Sequence, residues 1–345
     1  MNRLLKMICP GLWLLVLFFV VGCGNAAVNN PVNSPGQAAT ANKESVKDAT
    51  ESSGGLAKED SLPKQLRVGY QKSSILLFLK ESRNLEKRLS EYGIEVEWYE
   101  FQSGPPLLEA LNAGKIDVGY AGGAPVVLAT AHSGSQLVYL AYEPEVYRAI
   151  IVPEDSPIQQ VEDLKGKKVA FGKGSSAHYL VLTALESVGL GLSDIEPVFL
   201  QPSDARSAFE RQSVDAWAIW DPYLAAAEKS GARVVIDAIG LPRQYGIIVG
   251  RRDYFFQYPF LQQIIIEELG KTHDEIKKDQ KLAAEKYAQQ TGISQEVWEL
   301  TLERREYGVF PLTKEVLDAQ QQIADSFLEE GLIQEPVNVR KALLE

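Results

Sequence analysis

The sequence predicts an α/β fold built as two lobes with a cleft between them. From Leu66 onward, short apolar runs alternate with amphipathic stretches, the pattern of strands covered by helices. That run divides into two loosely similar units. Each has a strand, a glycine-rich turn into a helix, a strand with an Asp near a turn, and another helix. From Tyr258 the chain becomes almost purely helical.

In chain order, residues 66–70 read as a strand and 75–89 as a helix. The segment 95–101 alternates Val96, Trp98 and Tyr99 with charged neighbours, a second strand. Residues 106–113 form a short helix stopped by Gly114, 116–120 a strand, and 124–133 a helix opened by Pro125, a residue favoured in a first helical turn. A strand at 137–142 closes the first unit. The second unit holds strands at 149–152, 168–171, 196–200, 216–219 and 233–236, with helices at 175–188, 204–211 and 222–230. A late strand covers 245–249, and helical periodicity returns at 314–331. Crossings are expected near Ile150 and Ile247. They assign residues 66–148 and 250–345 to one lobe and 149–249 to the other.

The N-terminus sets the compartment. Arg3 and Lys6 precede an apolar run from Leu12 to Val21, too short for a spanning helix of about 20 residues. A basic start, a short apolar core and small residues at a cleavage point describe a secretory signal over residues 1–22. The string Val20-Val21-Gly22-Cys23 resembles the bacterial lipobox, in which the cysteine is acylated. The other cysteine, Cys9, lies inside the leader, so the mature body offers no disulfide or thiolate nucleophile. Residues 23–64 are polar, with almost nothing apolar in phase, and read as a disordered tether. The net charge is −11, more negative once the two basic residues of the leader are gone. Such an acidic chain without a basic stripe is a poor nucleic-acid binder. An anion held here needs a local positive potential.

Ligands of open α/β sheets sit outside the carboxyl ends of strands, and four turns stand there. In the first, Gln71, Ser73 and Ser74 offer neutral donors; either serine could equally cap the helix. The second, Gly122-Gly123-Ala124, lets backbone approach a ligand, and its helix start supplies free N–H groups and a favourable dipole. A plain tight turn is the alternative. The third, Gly172 to His178, brings glycines, Ser175 and Ser176 to a helix N-terminus; its spacing is not that of a Walker loop. His178 could face the cleft, cap the helix or lie in the core. The fourth places Trp220 and Asp221 at a strand end, an apolar wall beside a polar group, or else a core aromatic and a helix cap.

At this point the chain resembles a known family. The strings 66–72, 107–112, 155–158, 164–170, 173–176, 203–206 and 214–222 resemble aliphatic sulfonate-binding proteins of ABC importers, with taurine- and nitrate-binding proteins as similar relatives. The resemblance runs over nearly the whole body. It implies a type II periplasmic-binding-protein fold and a monomer that closes over a small anion, with an alkanesulfonate the expected cargo. It also implies ABC permease and ATPase subunits as partners, with no cofactor. Gln71, Gly122, Gly123, Ala124, Ser175, Ser176, His178, Trp220 and Asp221 fall at expected cleft positions. Two positions depart. Sulfonate binders often carry an acid where this chain has Gly123, and Arg148 stands where relatives commonly have Glu. Both changes make the cleft less negative and add Arg148 to the ligand-binding set.

Taurine, nitrate and other small anions are alternative cargoes. An enzyme of thiamine-pyrimidine synthesis shares the fold, but the lipobox, the absent thiols and only three histidines without metal-ligand spacing argue for a carrier at the extracytoplasmic face of the membrane.

Overall fold

The computed structural model describes residues 62–344; the expected leader, Cys23 and the tether up to residue 61 lie outside the described residues. Strands β1 (Gln65–Tyr70), β2 (Glu95–Glu100), β3 (Val118–Gly122) and β4 (Leu137–Glu143) open a first sheet. Strands β5 (Arg148–Val152), β6 (Lys168–Phe171), β7 (Glu196–Phe199), β8 (Ala216–Trp220) and β9 (Arg233–Asp237) form a second. Strand β10 (Gly246–Arg251) then returns to the first. The orders are β2-β1-β3-β10-β4 and β7-β6-β8-β5-β9. In each sheet three parallel strands are extended by an antiparallel strand in fourth place: β10 lies between β3 and β4, and β5 between β8 and β9.

Sheet membership moves the expected lobe boundaries. The chain leaves the first sheet after Glu143 and returns through residues 238–245, so Ile150 and Ile247 sit inside strands rather than at crossings. Arg148, expected just before the second lobe, is its first strand residue. An apolar run alone could not separate a crossing from the strand that follows it.

Helices α1 (Ile75–Ser82), α2 (Asn84–Ser90), α3 (Gly104–Asn112) and α4 (Gly123–Ala131) belong to the first sheet; α5 (Ser176–Glu186), α6 (Pro202–Glu210) and α7 (Tyr223–Lys229) to the second. The tail adds α8 (Arg252–Gln257), α9 (Phe260–Lys278), α10 (Gln280–Thr291), α11 (Gln295–Glu303) and α12 (Lys314–Glu329). The single helix expected over 75–89 is two. Arg83 at φ 59° breaks it, which re-aims Leu85 and Leu89 into the core.

One face of the first sheet packs Leu66, Phe78, Leu269 and Trp298. The other packs Leu107, Val126, Ile247 and Phe327, and Tyr179 and Leu182 of α5 join that cluster from the second lobe. The second core centres on Ile150, Phe171, Leu180 and Trp217. Because α1, α4 and α5 each follow a parallel strand, their N-termini all point toward the line where the lobes meet.

Candidate functional site

A small cavity of about 40 Å³ lies on that line. Its walls include Gln71, Ser73, Gly122, Ser175, Ser176 and Trp220 from the turns singled out in the sequence, and Arg148, together with Tyr120 and Gln244. The first N–H groups of a helix have no carbonyl partner within it, and at the N-termini of α4 and α5 they carry the positive end of the dipole. Gly122 ends β3 against the Ser176 hydroxyl, so closely that any Cβ there would collide with it. Its lack of a side chain lets the two helix starts converge.

The polar side chains around this space are held from behind. Gln71 is buried, and its Nε2 donates to the Tyr120 carbonyl at 2.8 Å. Ser74 closes the turn by donating to the Gln71 carbonyl at 2.9 Å, which leaves Ser73 as the cavity residue. Ser175 is the N-cap of α5: its hydroxyl donates to the Gly172 carbonyl at 2.7 Å and accepts from His178 N at 3.4 Å. Gln244 ties the lobes together, accepting from Ala124 N at 3.4 Å and donating to the Ser176 carbonyl at 3.2 Å. Burial and the nearby Glu143 carboxylate push the Tyr120 phenol up, so it remains a neutral donor.

Arg148 supplies the charge. Antiparallel register pairs it with Trp220 across β5 and β8, which sets a cation beside an aromatic wall. The side chain is only 4% exposed. Nη2 donates to Glu145 Oε2 at 2.8 Å and Nη1 to the Val146 carbonyl at 3.4 Å. Nε is buried without a hydrogen-bond partner in the protein. An orphaned donor of this kind costs about 1–3 kcal/mol, which an acceptor in the cavity would recover.

Four of the expected residues lie elsewhere. Gly123 faces α12, where its carbonyl accepts from Gln320 Nε2 at 3.3 Å, and a side chain would strike Gln320 and Ile323. An acid there, the departure noted above, would need the Gln320 side chain to move aside. Ala124 is buried and reaches the site only through its N–H on Gln244. His178 turns into the second lobe's core, stacked on Phe171 at 5.0 Å. Its Nδ1 accepts from Gly174 N at 3.1 Å, and burial, aided by Lys173, lowers the imidazole to about 4. Asp221 accepts from Arg304 Nε at 2.7 Å and Nη2 at 2.5 Å, and from Ala225 N at 3.1 Å. Burial pushes its carboxyl up against the pull of that guanidinium.

Glu145, Val146, Gln244, Tyr245 and Gly246 were not foreseen. Glu145, Val146 and Gln244 lie on the crossings, where no strand or helix pattern marks them, and Tyr245 and Gly246 lie at the start of the expected late strand. Pro144 and Pro242, one inside each crossing, were the available signal.

Residues 82–251 match the family model for the periplasmic substrate-binding protein of phosphonate ABC transporters. An aliphatic sulfonates-binding protein of Escherichia coli (strain K12) is 40% identical over 289 residues, 82% of this chain and 90% of the relative. One from Bacillus subtilis (strain 168) is 33% identical over 282 residues, 80% of this chain and 85% of the relative. Among solved structures, the alkanesulfonate-binding protein SsuA from Xanthomonas axonopodis pv. citri bound to MOPS has a TM-score of 0.77 at 40% identity, covering 81% of this chain and 98% of that one. The desulfurization enzyme DSZB has a TM-score of 0.62 at 18% identity, covering 81% of this chain and 96% of that one, a likeness of fold alone.

Proposed function

Since the chain belongs to the aliphatic sulfonate-binding proteins of ABC importers, we propose that its cavity holds the oxyanion head of an alkanesulfonate between the lobes, for delivery to a permease driven by ATPase subunits. The observation that carries this reading is Arg148, buried in the wall of a cavity on which two helix N-termini converge, with its Nε left without a partner. Gln71, Ser73, Tyr120, Gly122, Ser175, Ser176 and Trp220 complete the proposed ligand shell.

The chemistry suits an ionised, weakly basic oxyanion. Hydrogen bonds to a charged group contribute about 1.5–3 kcal/mol each. Three or four of them reach roughly −8 kcal/mol, a micromolar Kd. Neutral donors and one cation suffice, so the protein can remain acidic overall. Two lobes clamping one solute transport it without chemical turnover, and the proposed carrier works as a monomer. Acylation at Cys23 would anchor it at the extracytoplasmic face, each buried methylene adding about 0.8 kcal/mol. An intact mass lacking acyl chains on protein extracted from membranes would refute that anchor.

A thermal-shift panel of alkanesulfonates, taurine, sulfate and nitrate tests the cargo. A micromolar ligand at millimolar concentration adds about 4 kcal/mol of stability through RT ln(1 + [L]/Kd). Alkanesulfonates should give the largest shifts. Silence from every sulfonate would defeat the assignment while leaving the fold intact.

A further inference from the structure

A cavity of about 40 Å³ accepts an oxyanion head and little more. An organic substituent must therefore leave it in some direction. The cleft mouth is shut: Ser103 Oγ donates to Gln201 Oε1 at 2.8 Å, Ser203 Oγ to Gln102 Oε1 at 2.9 Å, and a side chain on Gly174 would press on Leu128. The crossing side is open. There Glu145, Gln244 and Tyr245 wall the cavity and, equally, a chamber of about 770 Å³.

The chamber has charged walls, Arg243, Arg305, Glu306 and Glu315 among them, around an aromatic and aliphatic patch. Tyr142 meets Tyr245 edge-on at 5.3 Å and Phe310 at a tilt at 5.4 Å. Phe310 is fixed by two backbone bonds to Tyr142, of 2.8 and 2.9 Å, and Gly308 at φ 141° leaves room for its ring. Yet Phe310 is 40% exposed and Ile239, opposite in the second crossing, is 78% exposed. Large apolar side chains left open to water beside a cavity, one of them fixed in place, mark a surface that takes an apolar ligand. Glu145 is one of the three residues shared by the cavity and the chamber. Glu145 is held by Arg148 Nη2 at 2.8 Å and by Gln244 N at 3.1 Å, and remains 31% exposed.

We propose that this chamber is a tail subsite and that it selects organosulfonates with a ring-bearing, preferably aromatic, substituent. The inference rests on the head-group assignment above. With the head against Arg148 and the α5 N-terminus, the tail passes Glu145 and lies between Phe310, Tyr245 and Ile239. Because both crossings line the chamber, a ring seated there touches both connections between the lobes.

Calorimetric titration of the full-length protein with methanesulfonate and with naphthalene-2-sulfonate tests this. The aryl ligand should bind at least tenfold more tightly. Phe310→Ala and Ile239→Asp should each remove most of that advantage while leaving the methanesulfonate Kd within twofold. Ile239 is so exposed that its variant folds without difficulty, and melting of each unliganded variant confirms it. Equal affinity for the two ligands in the native protein, or equal losses for both ligands in the variants, would overturn the tail subsite alone. Binding of neither sulfonate would overturn the head-group assignment along with it.

Discussion

The residues legible in the sequence were those whose position alone decides their role. A turn after a parallel strand places Gln71, Gly122, Ser175 and Ser176 near the cleft whatever their neighbours do. Which way a side chain points is a finer matter. Ser176 and His178 are two residues apart on α5, about 200° around a helix, so one lines the cavity and the other enters the core. Sequence reading names both, and the helix keeps one. Arg148→Glu should weaken sulfonate binding by tenfold or more (about 1.4 kcal/mol per decade), because it replaces the unpaired donor with a second carboxylate beside Glu145. An unchanged Kd by calorimetry would place Arg148 outside the ligand's reach. His178 gives a separate test. Its folded-state value of about 4 lies below the usual 6.5, so the unfolded chain binds the proton first. Stability from this residue is complete above pH 6.5 and declines as pH falls toward 4, by about 3 kcal/mol in all. Denaturant unfolding of His178→Gln should therefore show a shallower loss across that window; parallel curves would mean that the imidazole titrates normally.

At the level of elements, strand and helix periodicity located nearly every segment, because each amphipathic face is buried against one of two sheets. The break at Arg83 escaped it, since Leu85 and Leu89 keep an apolar rhythm across the kink. So did the register that pairs Arg148 with Trp220, which depends on strands far apart in sequence. The approach of α4 to α5 is the element-level feature most open to test. Gly122→Val would drive a branched side chain into Ser176 and hold the two helix starts apart. Ligand affinity should fall at least tenfold, while the unliganded protein keeps its melting temperature within a few degrees. Native-like affinity would show that the site forms without this close approach.

In the whole molecule, the C-terminal helices do more than cover the first sheet. Arg304, just after α11, reaches into the second lobe, where it pairs with Asp221 and with Glu228 at 2.8 Å and lies over the Tyr147 ring at 4.3 Å. Residues so distant in sequence could not be joined by reading it, so the strand-end position and family motif that assigned Asp221 to the ligand gave no sign of Arg304. Arg304→Gln should cost about 3–5 kcal/mol, as breaking a buried pair leaves a carboxylate uncompensated. Urea unfolding measures it, and a loss below 1 kcal/mol would show the pair to be dispensable. The two crossings, 144–147 and 238–245, have a mechanical consequence. One connection would let the lobes both bend and twist, whereas two side by side resist torsion and leave a single axis of rotation. Occupancy then becomes an angle. If the proposed carrier closes on its solute, a membrane complex gripping the outer faces would tell a loaded carrier from an empty one by its gape, without touching the molecule inside.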